Sequence, residues 1–132
     1  MAESSTHRSM KEAVRTELER EHYQVVEEPL FPPARWITWS GYRPDLLGYR
    51  SDDQTQELVL VECETHPSMP RFLAKNFSSL SFQPSITREG SIRRILAVPQ
   101  GRLHAVDLGL RRRWDIWLIG RAGSVQKLLR LD

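Results

Sequence analysis

Three carboxylates carry the clearest chemical pattern in the chain: Asp45, and the pair Glu62 and Glu64 that closes the aliphatic run Leu58-Val59-Leu60-Val61. Residues 51–56, SDDQTQ, form a polar turn between two extended segments. A hairpin symmetric about the Asp53–Gln54 centre sets Asp45 directly opposite Glu62. Opposed residues of an antiparallel pair share a face, with Cβ atoms ~4.5–5.5 Å apart, and the period of two adds Glu64 to that face. Carboxylates crowded at the end of an aliphatic strand repel one another and lose hydration. A hard divalent cation such as Mg²⁺ or Mn²⁺ compensates them and takes its remaining ligands from water and phosphate oxygens. The alternative is that Glu64 pairs with Arg43, opposite it in the same register, and that Glu62 is exposed where the strand emerges.

The elements that must position these groups follow from periodicity and punctuation. Met10, Ala13, Val14 and Leu18 recur at helical spacing, and no Pro or Gly interrupts 6–21, so the chain opens with an amphipathic helix after a loose tail at 1–5. Tyr23 to Glu27 alternates as a short strand. Pro29, Pro32 and Pro33 mark a loop, and Arg35 to Thr38 and Tyr42 to Tyr49 read as extended segments. Leu58 to Thr65 is a central strand covered on both faces. Pro70 then opens a second helix with Phe72, Leu73, Asn76, Phe77 and Leu80 as its inner stripe, stopped by Pro84. A strand at Ile92 to Val98, a helix from Leu103 to Arg112, a strand at Trp114 to Ile119 and a short segment at Val125 to Leu131 complete the chain. The expectation is one α/β domain over residues 1–132, with a central mixed sheet flanked by helices in the order αβββαβαβ.

Composition limits the class of protein. The chain has 132 residues, 27% of them charged, and no apolar run approaches the ~20 residues of a membrane span. Cys63 is the sole cysteine, so no intrachain disulfide forms, and the opening residues lack a secretory core; a cytoplasmic location is expected. Residues 86–132 hold ten basic side chains against four acidic ones, which leaves the rest of the chain net acidic. This asymmetry suits an acidic pocket on one half and a polyanion-binding surface on the other. A solvated arginine face explains it equally well.

Arg43-Pro44-Asp45 and Val61-Glu62-Cys63-Glu64, set on a hairpin that follows a helix, resemble the PD-(D/E)XK nuclease superfamily, the restriction-endonuclease-like fold. The similarity covers most of the chain in element order, and the layout looks closest to the small archaeal Holliday junction resolvases. The resemblance implies that Asp45 and Glu62 bind the metal. The final motif position is usually Lys; Glu64 occupies it here, as in some restriction endonucleases, and would orient or deprotonate water or bind a second metal. A Glu of the first helix often completes such sites. Glu17 lies within the apolar arc and is favoured over Glu12, although the spacing of Glu12 better matches the family layout. Lys75 is a weaker candidate for a displaced cation.

The implied activity is metal-dependent endonucleolytic cleavage of DNA, selective for junctions or branches, by a homodimer whose Arg43, Arg111, Arg112 and Arg113 contact phosphates. RNA is a further candidate substrate. The rival is a catalytically degenerate nucleic-acid-binding or assembly protein on the same fold. Cys63, alternating away from Glu62, reads as a packed core thiol, Trp114 and Trp117 as packing or dimer contacts, and His66 as a loop residue near the carboxylates. The four histidines and one cysteine show no zinc spacing.

Overall fold

The computed structural model describes residues 4–28, 44–51, 56–66 and 90–131. Helix α1, Ser5–Arg20, starts where Ser4 caps it: the Ser4 Oγ accepts the His7 N–H at 3.1 Å. The expected tail at 1–5 thus ends in a helix cap. Met10, Val14 and Leu18 are buried along one stripe, as their spacing requires. The helix closes in a Schellman motif, with the Tyr23 N–H on the Leu18 carbonyl and the His22 N–H on the Glu19 carbonyl, each at 3.0 Å. His22 takes the left-handed position of that motif, with φ 72°.

The described strands form one six-stranded mixed sheet in the order β1-β2-β3-β4-β5-β6. These are β1 Gln24–Glu27, β2 Leu46–Ser51, β3 Gln56–Cys63, β4 Gly90–Pro99, β5 Asp115–Ile119 and β6 Val125–Leu128. β1, β2 and β3 run antiparallel in succession, β3 to β4 and β4 to β5 are parallel, and β6 returns antiparallel on β5. The β2–β3 register is Leu46↔Val61, Leu47↔Leu60 and onward to Ser51↔Gln56, the pairing that symmetry about the Asp53–Gln54 centre requires.

Two cores result. On one face α1 covers Leu46, Val59, Val61, Cys63, Ile95, Ala97, Trp117 and Ile119. On the other, Val106, Leu110 and Trp114 pack over Leu96, Val98, Ile116 and Leu118. The uninterrupted aliphatic runs of β3 and β4 are explained by burial on both faces: Leu58, Leu60, Leu96 and Val98 are buried as completely as Val59, Val61 and Ile95. Cys63 is a core thiol, as alternation predicts, and Trp114 and Trp117 are core packing residues.

Two elements differ from the periodicity. The helix expected from Leu103 to Arg112 is split into a 3-10 helix, Gln100–Ala105, and α2, Leu108–Arg113. Asp107 causes the break: its Oδ1 accepts the Leu110 N–H at 2.8 Å and caps a new helix rather than continuing the old one. The last segment is a strand, β6, joined to β5 by a turn in which Gly123 adopts φ 83° and the Gly120 N–H bonds the Ser124 carbonyl at 2.9 Å. The extended segment at 35–38 and the helix expected after Pro70 lie outside the described residues. Among the described residues, no helix is long and apolar enough to cross a membrane.

Candidate functional site

The site forms where the amino end of α1 meets the start of β2 and the end of β3. The paired register ends at Leu46↔Val61, with Asp45 and Glu62 the next residue on either side. Asp45 has left the regular strand, and its carboxylate takes the place a β2 peptide would hold: Oδ2 accepts the Cys63 N–H at 2.8 Å. Strand amides lie in the plane of the sheet, so this bond fixes the carboxylate at the strand tip. The backbone of Asp45 is held as well, its carbonyl accepting the Glu28 N–H at 3.0 Å.

His7 reaches the same point from the first turn of α1. Its Nε2 lies 2.9 Å from the Cys63 carbonyl and 3.5 Å from Asp45 Oδ2. This residue did not emerge from motif spacing. A signal was nonetheless present, because His7 precedes Met10 by three residues and Val14 by seven, and therefore shares their face. Four residues further on, Lys11 is buried with 4% of its surface exposed, and its Nζ lies 3.4 Å from Glu27 Oε2. Its charge, one helical turn from His7, had no counterpart in the sequence reading, which counted α1 as apolar on this side.

Glu62 is 3% exposed, the only acidic residue among the described ones that is buried. It alternates away from Val61 and Cys63, and its parallel partner is Leu96, which belongs to the α2-side core. The alternative in which Glu62 is exposed at the strand end therefore does not hold. Glu64 follows the strand and is partly exposed; its N–H donates to the Ala97 carbonyl at 2.9 Å, and its Oε1 accepts the His66 N–H at 3.2 Å. Arg43 and Lys75 lie outside the described residues.

Glu17 is not part of this constellation. It stands ten residues beyond His7, about 15 Å along the helix axis, and pairs with Lys127 Nζ at 3.0 Å and Arg20 at 3.4 Å. The apolar arc that made Glu17 attractive is real, but the arc runs the length of α1 and only its amino end reaches Asp45. Glu12 is exposed beside a groove between α1 and the β5–β6 turn. The helix thus brings an imidazole to the strand tip where a carboxylate was expected.

The donor set fits a hard divalent ion in kind. Asp45 and Glu62 offer carboxylate oxygens, the Cys63 carbonyl lies beside Asp45, and water and phosphate oxygens would complete the shell of an ion such as Mg²⁺. Among the described residues, no group of three or more His, Cys, Asp or Glu side chains is gathered closely enough to hold a metal unaided.

At the other end of the sheet, Arg112 and Arg113 close the last turn of α2, both exposed, with Arg111 partly covered. Cationic residues at a helix carboxyl terminus are favoured by its dipole. Tyr23, Arg50 and Glu57 form a separate cluster near the β2–β3 turn. Glu57 Oε2 accepts from the Tyr23 hydroxyl at 2.8 Å and from Arg50 at 2.6 Å, and the Arg50 guanidinium lies 4.2 Å from the Tyr23 ring centroid. Burial first, then the hydrogen bond to Glu57 and its charge, push the Tyr23 phenol up to about 12.

Comparison of the chain with protein-family models, with curated proteins and with solved structures finds no match.

Proposed function

We propose that the chain is a metal-dependent endonuclease with a restriction-endonuclease-like fold, acting on the phosphodiester bonds of DNA. The observation that carries this reading is the β2–β3 register, which brings Asp45, just before β2, and the buried Glu62, near the end of β3, to one end of the sheet. A carboxylate with 3% exposure is costly unless its charge is used or compensated. Support for the fold comes from the leading helix, the antiparallel succession β1–β2–β3 and the parallel β3–β4 step among the described residues.

Asp45 and Glu62 would hold the divalent ion, which when bound supplies Lewis acidity at a phosphate oxygen and a water acidic enough to ionise near neutrality. The chain's own groups do the rest. The Cys63 N–H clamps one oxygen of Asp45, and His7 braces both Asp45 and the Cys63 carbonyl. Glu64, partly exposed beyond the strand end, would orient or deprotonate the attacking water, the role in which a lysine is more usual.

Cleavage of branched, single-stranded and linear DNA, and of RNA, should be assayed with Mg²⁺ and with Mn²⁺. Metal-dependent cleavage of DNA that disappears in Asp45→Asn is the expected result. Absence of cleavage on every substrate, together with metal affinity unchanged by Asp45→Ala, would leave the proposal without support.

A further inference from the structure

Five arginine side chains surround one hollow at the amino ends of β4 and β5. Arg93, Arg94, Arg112, Arg113 and Arg130 line a space of ≈ 560 Å³, and among the described residues Asp115 is its one acidic lining residue. Arg93 and Arg94 are consecutive on β4 and so project to opposite faces, which wraps the cationic lining around the end of the sheet. Asp115 adds little negative potential for a ligand to meet, because both oxygens are engaged. Oδ2 takes Arg93 Nε at 2.9 Å and Oδ1 takes the Arg130 N–H at 2.8 Å.

The frame around the hollow is held in place. Arg93 lies 3.7 Å from Glu21 and its guanidinium is 5.6 Å from the Trp117 ring centroid. The Leu131 N–H donates to the Arg111 carbonyl at 2.8 Å, tying the carboxy-terminal segment to the end of α2 and holding Arg130 opposite Arg112 and Arg113. Arg112, Arg113 and Arg130 are all exposed. Guanidinium groups gathered on a rigid frame repel one another and are suited to bidentate contact with phosphate oxygens. Among the described residues, the lining contains no aromatic side chain on which a base could stack.

We infer that this hollow binds backbone phosphates of a nucleic-acid strand without reading its sequence. It is distinct from the Asp45–Glu62 site. Arg93 stands level with Val59, three residues before Glu62, and β5 is two strands from β3; the separation is roughly 10 Å along the strands and roughly 10 Å across them. Its use in holding a substrate for cleavage rests on the nuclease reading, whereas the binding itself does not.

Binding is measured in EDTA, where no metal-dependent cleavage occurs, by fluorescence anisotropy of a labelled single-stranded oligonucleotide over a range of salt concentrations. The double variant Arg112→Ala/Arg130→Ala should bind ~10-fold more weakly and show a salt slope shallower by about 1.4, since each phosphate contact to a single strand contributes about 0.7. A charge-matched control, Arg102→Ala/Arg121→Ala, removes two exposed arginines elsewhere and should bind as the unmodified chain does. Equal weakening in both variants would mean diffuse charge attraction and would overturn the inference, as would no change in the first. Displacement of the strand by inorganic tripolyphosphate at equal affinity would also overturn it, by making the hollow a site for small polyanions. The expected binding pattern in a chain that cleaves nothing upholds the hollow and removes only the catalytic reading.

Discussion

The His7 imidazole lies 3.5 Å from the Asp45 carboxylate, joining the first turn of α1 to the point where β2 begins. Because the same nitrogen is 2.9 Å from the Cys63 carbonyl, one side chain ties three elements together at the proposed site. His7 acts as a positioning residue, so its loss should be felt in rate and metal affinity more than in fold. His7→Ala is expected to lower both by ~10-fold or more, as removal of an orienting partner commonly does. His7→Gln, which can still bond the Cys63 carbonyl, should recover part of the metal affinity. Equal metal titrations for all three proteins would remove this role.

Asp45 has two functions that substitution can separate. Asp45→Asn keeps an oxygen for the Cys63 N–H but removes the charge, so the melting temperature should hardly move while metal binding and cleavage disappear. Asp45→Ala also strands a strand-end amide and should cost a further ~1–3 kcal/mol of stability. Thermal melts of the two variants beside a cleavage assay distinguish the structural part from the chemical one.

Glu64 occupies the position where lysine is usual in the motif it resembles. Glu64→Gln retains size but cannot take a proton, and cleavage should fall by about 10²-fold. Glu64→Lys supplies the more usual group and should retain more activity than Glu64→Gln. The reverse ranking would show that this position does not act on the water.

Tyr23 gives the stability curve an alkaline limb. Its phenol is held near 12 in the folded chain, against 10 for the free side chain. The folded state therefore keeps a proton that the unfolded state releases, and the stabilisation is complete below about pH 10. Between about pH 10 and pH 12 it falls by about 1.4 kcal/mol per pH unit. Urea unfolding of the unmodified chain and of Tyr23→Phe should give stability curves that converge across that window, with the lysine and arginine titrations common to both.

His22 holds the left-handed position of the α1 carboxyl terminus, at φ 72°. A residue with a Cβ pays a conformational penalty there that glycine avoids. His22→Gly should stabilise the chain by ~1 kcal/mol, seen as a rise of a few degrees in melting temperature. A lower melting temperature would point to a contact of the imidazole that outweighs the backbone gain.

Much of the architecture was legible because local rules govern it. The Met10, Val14 and Leu18 spacing specifies the buried face of α1, and the run Leu58 to Val61 specifies a strand covered on both sides. The polar turn at 51–56 specifies the β2–β3 register, since a one-residue slip would turn every aliphatic side chain to the wrong face. That register is why the pairing of Leu46 to Ser51 with Gln56 to Val61 could be read from the sequence. Cys63 followed from the same alternation.

Other features depend on contacts between segments far apart in the chain. His7 meets residues 38 and 56 positions away only because α1 crosses the sheet with its amino end over the tip of β3. Periodicity identifies the face a helix buries but not which of its ends lies over which strand, and for that reason Glu17 was favoured and is instead paired with Lys127. The break at Asp107, the pairing of β6 with β5, and the convergence of arginines from β4, α2 and the carboxy-terminal segment likewise arise from packing. Short-range patterns set which residues are buried and how neighbouring strands align; the docking of α1 and of the carboxy-terminal hairpin, which brings distant polar groups within hydrogen-bonding distance, was decided only by the tertiary structure.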